Sequence, residues 1–71
     1  MEETSEERFK RLASARTNLI LKRLDILGNC SNRQVYSYTR KDIEKIFSAI
    51  EAKIKQTKAR FSFPKEEEFK L

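Results

Sequence analysis

The sequence predicts an all-α protein: an antiparallel two-helix hairpin that dimerises into a four-helix bundle. Three observations lead there. The chain is 38% charged with one glycine and one proline among 71 residues, too few turn residues for an all-β fold. Two segments repeat apolar residues in steps of three and four, the signature of amphipathic helices. A connection of about ten residues separates them, flanked by helix-ending and helix-starting residues, which suits a hairpin.

Residues 1–7 form an acidic N-terminal segment containing Glu2, Glu3, Glu6 and Glu7 and no basic residue. Ser5 is the expected N-cap of a first helix running from about residue 6 to residue 27, and the glutamates suit its positive end. Its apolar stripe is Phe9, Leu12, Ala13, Leu19, Ile20, Leu24 and Leu27. Arg16 and Arg23 interrupt the stripe at heptad spacing from Phe9. Their stems can cover the seam while their heads reach its edge, or they can receive an anion or an acidic partner. Gly28 or Asn29 is the expected left-handed cap that ends the helix.

The loop spans residues 28–38, "GNCSNRQVYSY". Asn32 and Arg33 are not needed by the bend itself and are expected as contact residues; the alternative for Asn32 is to cap a turn through its own backbone. Val35, Tyr36 and Tyr38 are expected to cover the open end of the hairpin core. The second helix should run from about residue 40 to residue 60. Thr39 is its N-cap, with Asp42 three residues on as a variant capping box, and Tyr38 placed to staple onto Ile43. The second stripe is Ile43, Ile46, Phe47, Ile50, Ile54, Thr57 and Phe61. Pro64 biases residue 63 away from helix, so the helix stops near Arg60. Residues 62–71 are expected to be a flexible tail.

Two helices alone offer a thin core for a chain of this size. That shortfall predicts self-association, most simply as a twofold homodimer.

The charge is uneven. The net charge is +5 and the isoelectric point about 9.6. Residues 8–24 carry Arg8, Lys10, Arg11, Arg16, Lys22 and Arg23 with no acid, so a basic helical body lies between acidic ends. Such a body suits a phosphate backbone. For nucleic acid the anchors are Arg8, Arg11, Arg16, Lys22, Arg23 and Arg33. Arg8, Arg11, Arg16, Asn18 and Lys22 are expected on different faces rather than on one reading edge. No homeodomain, zinc-finger or RNA-recognition signature is present. A ribbon-helix-helix dimer needs a strand before its first helix, and "MEETSEER" is a poor strand. The competing reading is a protein-binding module or an inhibitor of a host or defence protein. Its contact surface would be Arg16, Arg23, Asn32, Arg33, Tyr36 and Tyr38, since Arg and Tyr are favoured hot-spot residues. A third reading is a subunit whose function is assembly.

Enzymatic chemistry is not expected. The chain has no histidine, which removes the usual general base, the Ser-His and Cys-His pairs and most zinc sites. Cys30 is the only cysteine, so no disulfide or CxxC pair forms within one chain; a packed residue or a turn element is its expected role. No metal or cofactor is expected. One glycine cannot build a phosphate-binding loop. A lone cysteine fits a reducing, cytoplasmic setting. There is no membrane-spanning apolar run, and "MEETSEER" lacks the apolar region of a signal peptide.

Arg8-Phe9, Arg16, "LGNCSNR", "YSYT" and "KIFSAI" lie within residues 8–61. Over that span the chain resembles small uncharacterised helical-hairpin proteins encoded on plasmids, conjugative transposons and phages of Gram-positive bacteria. The resemblance implies a bacterial cytoplasm and a mobile element, where such accessory proteins regulate transfer or transcription or inhibit a host system. It implies no functional residue.

Overall fold

The computed structural model describes residues 2–61. The expected flexible tail, 62–71, lies outside the described residues. These contain two α-helices, one short 3-10 turn and no strand, so the protein is all-helical there. The chain divides after Ser37 into two units.

The first unit is built on α1, Ser5–Gly28, whose 24 residues span about 36 Å at the usual helical rise. Its N-cap is Thr4, not Ser5. Thr4 has extended backbone angles, φ −71° and ψ 162°, while Ser5 is already helical. The Thr4 hydroxyl oxygen accepts from the Glu7 amide at 3.1 Å, and the Thr4 carbonyl accepts from the Arg8 amide at 2.9 Å. Two adjacent hydroxyl residues compete for this role, and the cap is whichever stays outside the helical region. Glu6 and Glu7 occupy the first turn, where the helix dipole favours them.

The far end of α1 differs from the sequence expectation. Gly28 is right-handed, φ −58° and ψ −26°, and no described residue has a positive φ. The helix tightens into a 3-10 turn, Asn29–Ser31, instead of reversing through a left-handed cap. The Asn29 amide donates to the carbonyls of Ile26 and Leu27, which satisfies carbonyl groups that a left-handed residue otherwise serves. Asn32 then leaves helical space, at φ −68° and ψ 104°.

A second turn comes at once. The Asn32 side-chain oxygen accepts from the Gln34 amide at 3.0 Å, and its carbonyl accepts from the amides of Val35 and Tyr36 at 3.2 and 2.9 Å. This is the self-capped turn left open for Asn32 as the alternative, so the bend does use Asn32. The residues at its far side stay in solvent: Val35 is 68% exposed and Tyr36 50%. The expectation that Val35 and Tyr36 shield a core is therefore corrected.

The second unit is built on α2, Arg40–Ala59. Thr39 caps it as the sequence predicts. The Asp42 amide donates to the Thr39 hydroxyl at 3.1 Å, and the Thr39 amide donates to the Asp42 carboxylate at 2.9 Å, closing a capping box. Asp in place of Glu suffices because the reciprocal bond is made within one turn. The helix ends at Arg60, whose amide donates to the Thr57 carbonyl at 3.1 Å.

Thr57 is the polar member of the α2 stripe. Its hydroxyl donates to the Lys53 carbonyl at 2.7 Å, so the stripe carries no unsatisfied donor there.

None of the described residues is fully buried. The partly shielded ones are Glu3, Leu12, Ala13, Leu24 and Leu27 in the first unit, and Tyr38, Ile43 and Ile50 in the second. All the α1 and α2 members of this set belong to the stripes read from the sequence. Phe9, Ile20 and Phe47, on the same stripes, are exposed.

Candidate polyanion-binding face

Because α1 is one continuous helix, spacing places its side chains on faces. Steps of three and four from residue 8 pass through 11, 15, 18 and 22. Arg8, Arg11, Asn18 and Lys22 therefore share one side, with Ala15 between them. Of the set expected on different faces, four share this side and Arg16 falls elsewhere. Arg16 and Arg23 lie on the stripe of Phe9, Ala13, Ile20 and Leu27, at its edge nearer the basic row.

The seven candidate residues thus form three groups. Arg8, Arg11 and Lys22 make a basic stripe. Arg16 and Arg23 stand seven residues apart on the apolar stripe. Asn32 and Arg33 belong to the turn beyond the helix. All seven are exposed. Asn32 is committed locally through its side-chain oxygen, and Arg33 is also engaged.

Ion pairing sorts the basic residues further. The Arg11 guanidinium donates twice to the Glu3 carboxylate, Nε to Oε1 at 3.0 Å and an Nη to Oε2 at 3.1 Å. Lys10 pairs with Glu6 one turn earlier at 3.1 Å. Arg8, Arg16, Lys22 and Arg23 make no ion pair among the described residues. The acids at the start of the chain thus engage only the first part of the basic helix. From Ser14 to the end of α1, Asp25 is the only acid.

Sequence reasoning missed a second basic row. Lys41, Lys45 and Lys55 share a face of α2, on steps of three and four through Ser48 and Ala52, opposite the apolar stripe. The signal is present in the spacing, but a count of charges along this helix does not assign them to a face.

Other chemistry has little to build on. Cys30 is exposed in the 3-10 turn, so it is a turn element rather than a packed side chain. Among the described residues, no group of three or more metal-ligating side chains converges, and no helix is long and apolar enough to cross a membrane. Hydrogen bonds from the Thr39 backbone and side chain hold the Asp42 carboxyl below its ordinary range.

The chain matches no protein-family model, no curated protein and no solved structure.

Proposed function

We propose that this is a non-enzymatic, basic helical protein that binds nucleic acid through the Arg8–Arg11–Lys22 side of α1. In this reading its two helices fold as an antiparallel hairpin, two copies form a four-helix bundle, and it works in the cytoplasm as an accessory or regulatory protein of a mobile element. The observation that carries the binding reading is the exposed row of Arg8, Arg11 and Lys22, which meets no acid before Asp25 and two of whose three cations have no ion pair among the described residues. A row of separated cations along one helix suits the repeating phosphates of a backbone. In a groove, Asn18 is suited to an adenine edge, and the arginines or Lys22 to guanine.

The test is titration of duplex DNA, monitored by fluorescence anisotropy, over a salt series. Affinity should fall steeply with salt, and each of Arg8→Ala and Lys22→Ala should reduce the log–log slope by about 1. Absence of binding to any duplex at low salt rejects this reading.

A second reading, a protein-binding module or inhibitor of a host protein, is favoured by the exposed Val35-Tyr36 pair held on the Asn32 turn. An aromatic side chain presented on an ordered turn is a common interface anchor. A stoichiometric partner that survives nuclease treatment, and is lost in Tyr36→Ala, would favour it over the first.

A further inference from the structure

Asn18 lies in the interior of α1, in the row of Arg8, Arg11, Ala15 and Lys22. Asparagine is a poor residue for a helix interior, because its carboxamide competes for the backbone groups that the helix uses. It normally serves a cap or a turn, as Asn32 does here. Asn18 caps neither end of α1, is exposed, and makes no side-chain hydrogen bond among the described residues. The local structure gains nothing from it.

The row is symmetrical about Ala15. Arg8 stands seven residues before it and Lys22 seven after, about 10.5 Å each way along the axis. Neither cation makes an ion pair among the described residues. Arg11, next to Arg8 on this side, is engaged by Glu3. Glu7 and Asp25 bound the row, and no acid falls between them. The row faces away from Phe9, Ala13, Ile20 and Leu27, so it stays open whatever that apolar stripe packs against.

These positions fit the major groove of duplex DNA, which is about 12 Å wide and admits an α-helix. A straight rod touches a round duplex over a short length, so only the middle of the helix approaches the base edges. Its ends rise toward the phosphate strands on either side. Ala15, with no more than a methyl group, lets the axis come close, and Asn18 meets the base edges. Arg8 and Lys22, about 21 Å apart, reach one strand each. A carboxamide both donates and accepts, which matches the N7 acceptor and N6 donor of adenine in this groove. Double-stranded RNA offers no such fit, because side chains cannot read its deep, narrow major groove.

We propose that the Arg8–Lys22 side of α1 reads duplex DNA in the major groove, with Asn18 specifying an adenine and Arg8 and Lys22 holding the phosphates on either side. This rests on the nucleic-acid binding proposed above and adds base selection to it. The cations then supply affinity and register, and the one neutral polar side chain of the row supplies specificity.

The experiment selects duplexes bound by the full chain from a DNA library with a randomised core. The selected sequences should share an adenine at a fixed position. Replacing it by 7-deazaadenine, which lacks the N7 acceptor, should weaken binding at least about fivefold. Asn18→Ala should bind both duplexes equally while keeping the wild-type salt slope. Alanine raises helix propensity, so helix content by circular dichroism should not fall in this variant. Arg8→Ala and Lys22→Ala should each lower the slope by about 1 and keep the adenine preference. Double-stranded RNA of the selected sequence should bind without that preference.

Equal binding of all duplexes, or an adenine preference that survives Asn18→Ala, overturns the readout and leaves the phosphate contacts standing. The same preference in double-stranded RNA overturns the major-groove placement. Absence of binding to any duplex at low salt overturns the readout together with the reading it rests on.

Discussion

Glu3 precedes Arg11 by eight residues, yet its carboxylate receives both donors of the guanidinium fork, at 3.0 and 3.1 Å. The extended Thr4 makes this possible. Ahead of it the chain is no longer helical, so Glu3 reaches a residue almost two turns into α1. The bidentate geometry is the strongest form of such a pair, and Glu3 is among the few partly shielded residues. The Arg11 side chain is still mostly solvated, which limits the pair to about 1 kcal/mol or less.

The first prediction comes from that pairing. If Arg11 belongs to a polyanion-binding row, Glu3 competes with the ligand for it. Glu3→Gln should then raise affinity for duplex DNA about two- to fivefold in low salt, with the gain shrinking as salt screens the pair. Anisotropy titrations of the two chains, with and without added salt, measure it. Equal affinities at low salt would remove Arg11 from the row.

The capping box of α2 gives the second. Thr39→Ala removes the acceptor for the Asp42 amide and should cost about 0.5–2 kcal/mol, read as a lower midpoint in denaturant or heat. The same box confers a pH dependence. Because the Asp42 carboxyl titrates below its ordinary range when folded, its contribution is fully present above the unfolded value. It is lost as the pH falls through the lowered folded value. Helix content should fall on acidification in that range, and Asp42→Asn should flatten that part of the curve.

Gly28 gives the third, with a sign set by its handedness. A left-handed cap would make alanine costly there. Gly28 is instead right-handed, and a β-carbon added to it meets nothing within 4 Å. Gly28→Ala should therefore stabilise the end of α1 by about 0.4–1 kcal/mol. A thermal scan of the two chains is enough, and a lower midpoint in the alanine chain would contradict the observed ending.

The two helices, the Thr39–Asp42 box, the stop at Arg60 and, as the alternative for Asn32, its self-capped turn were legible in the sequence. Each rests on hydrogen bonds between residues at most five apart, or on a periodicity that the helix itself imposes. The choice between Thr4 and Ser5 was not legible, because both hydroxyls can cap and a backbone angle decides. The basic row of Arg8, Arg11 and Lys22 was legible in the spacing of the expected helix, 6–27, because steps of three and four put them on one side. Which of its cations were already paired could not be read at all.

By itself the sequence determined the helical class, the placement of apolar stripes and the concentration of positive charge in residues 8–24, since these depend on residue type and period alone. Three-dimensional structure decided what depends on the path of the backbone. It set Glu3 against Arg11, ended α1 through a 3-10 turn without left-handed glycine, and left Val35 and Tyr36 exposed beyond the Asn32 turn. The physical reason is range. Helix propensity and capping act within a turn or two, whereas an ion pair across eight residues depends on where an extended segment leaves the helix axis.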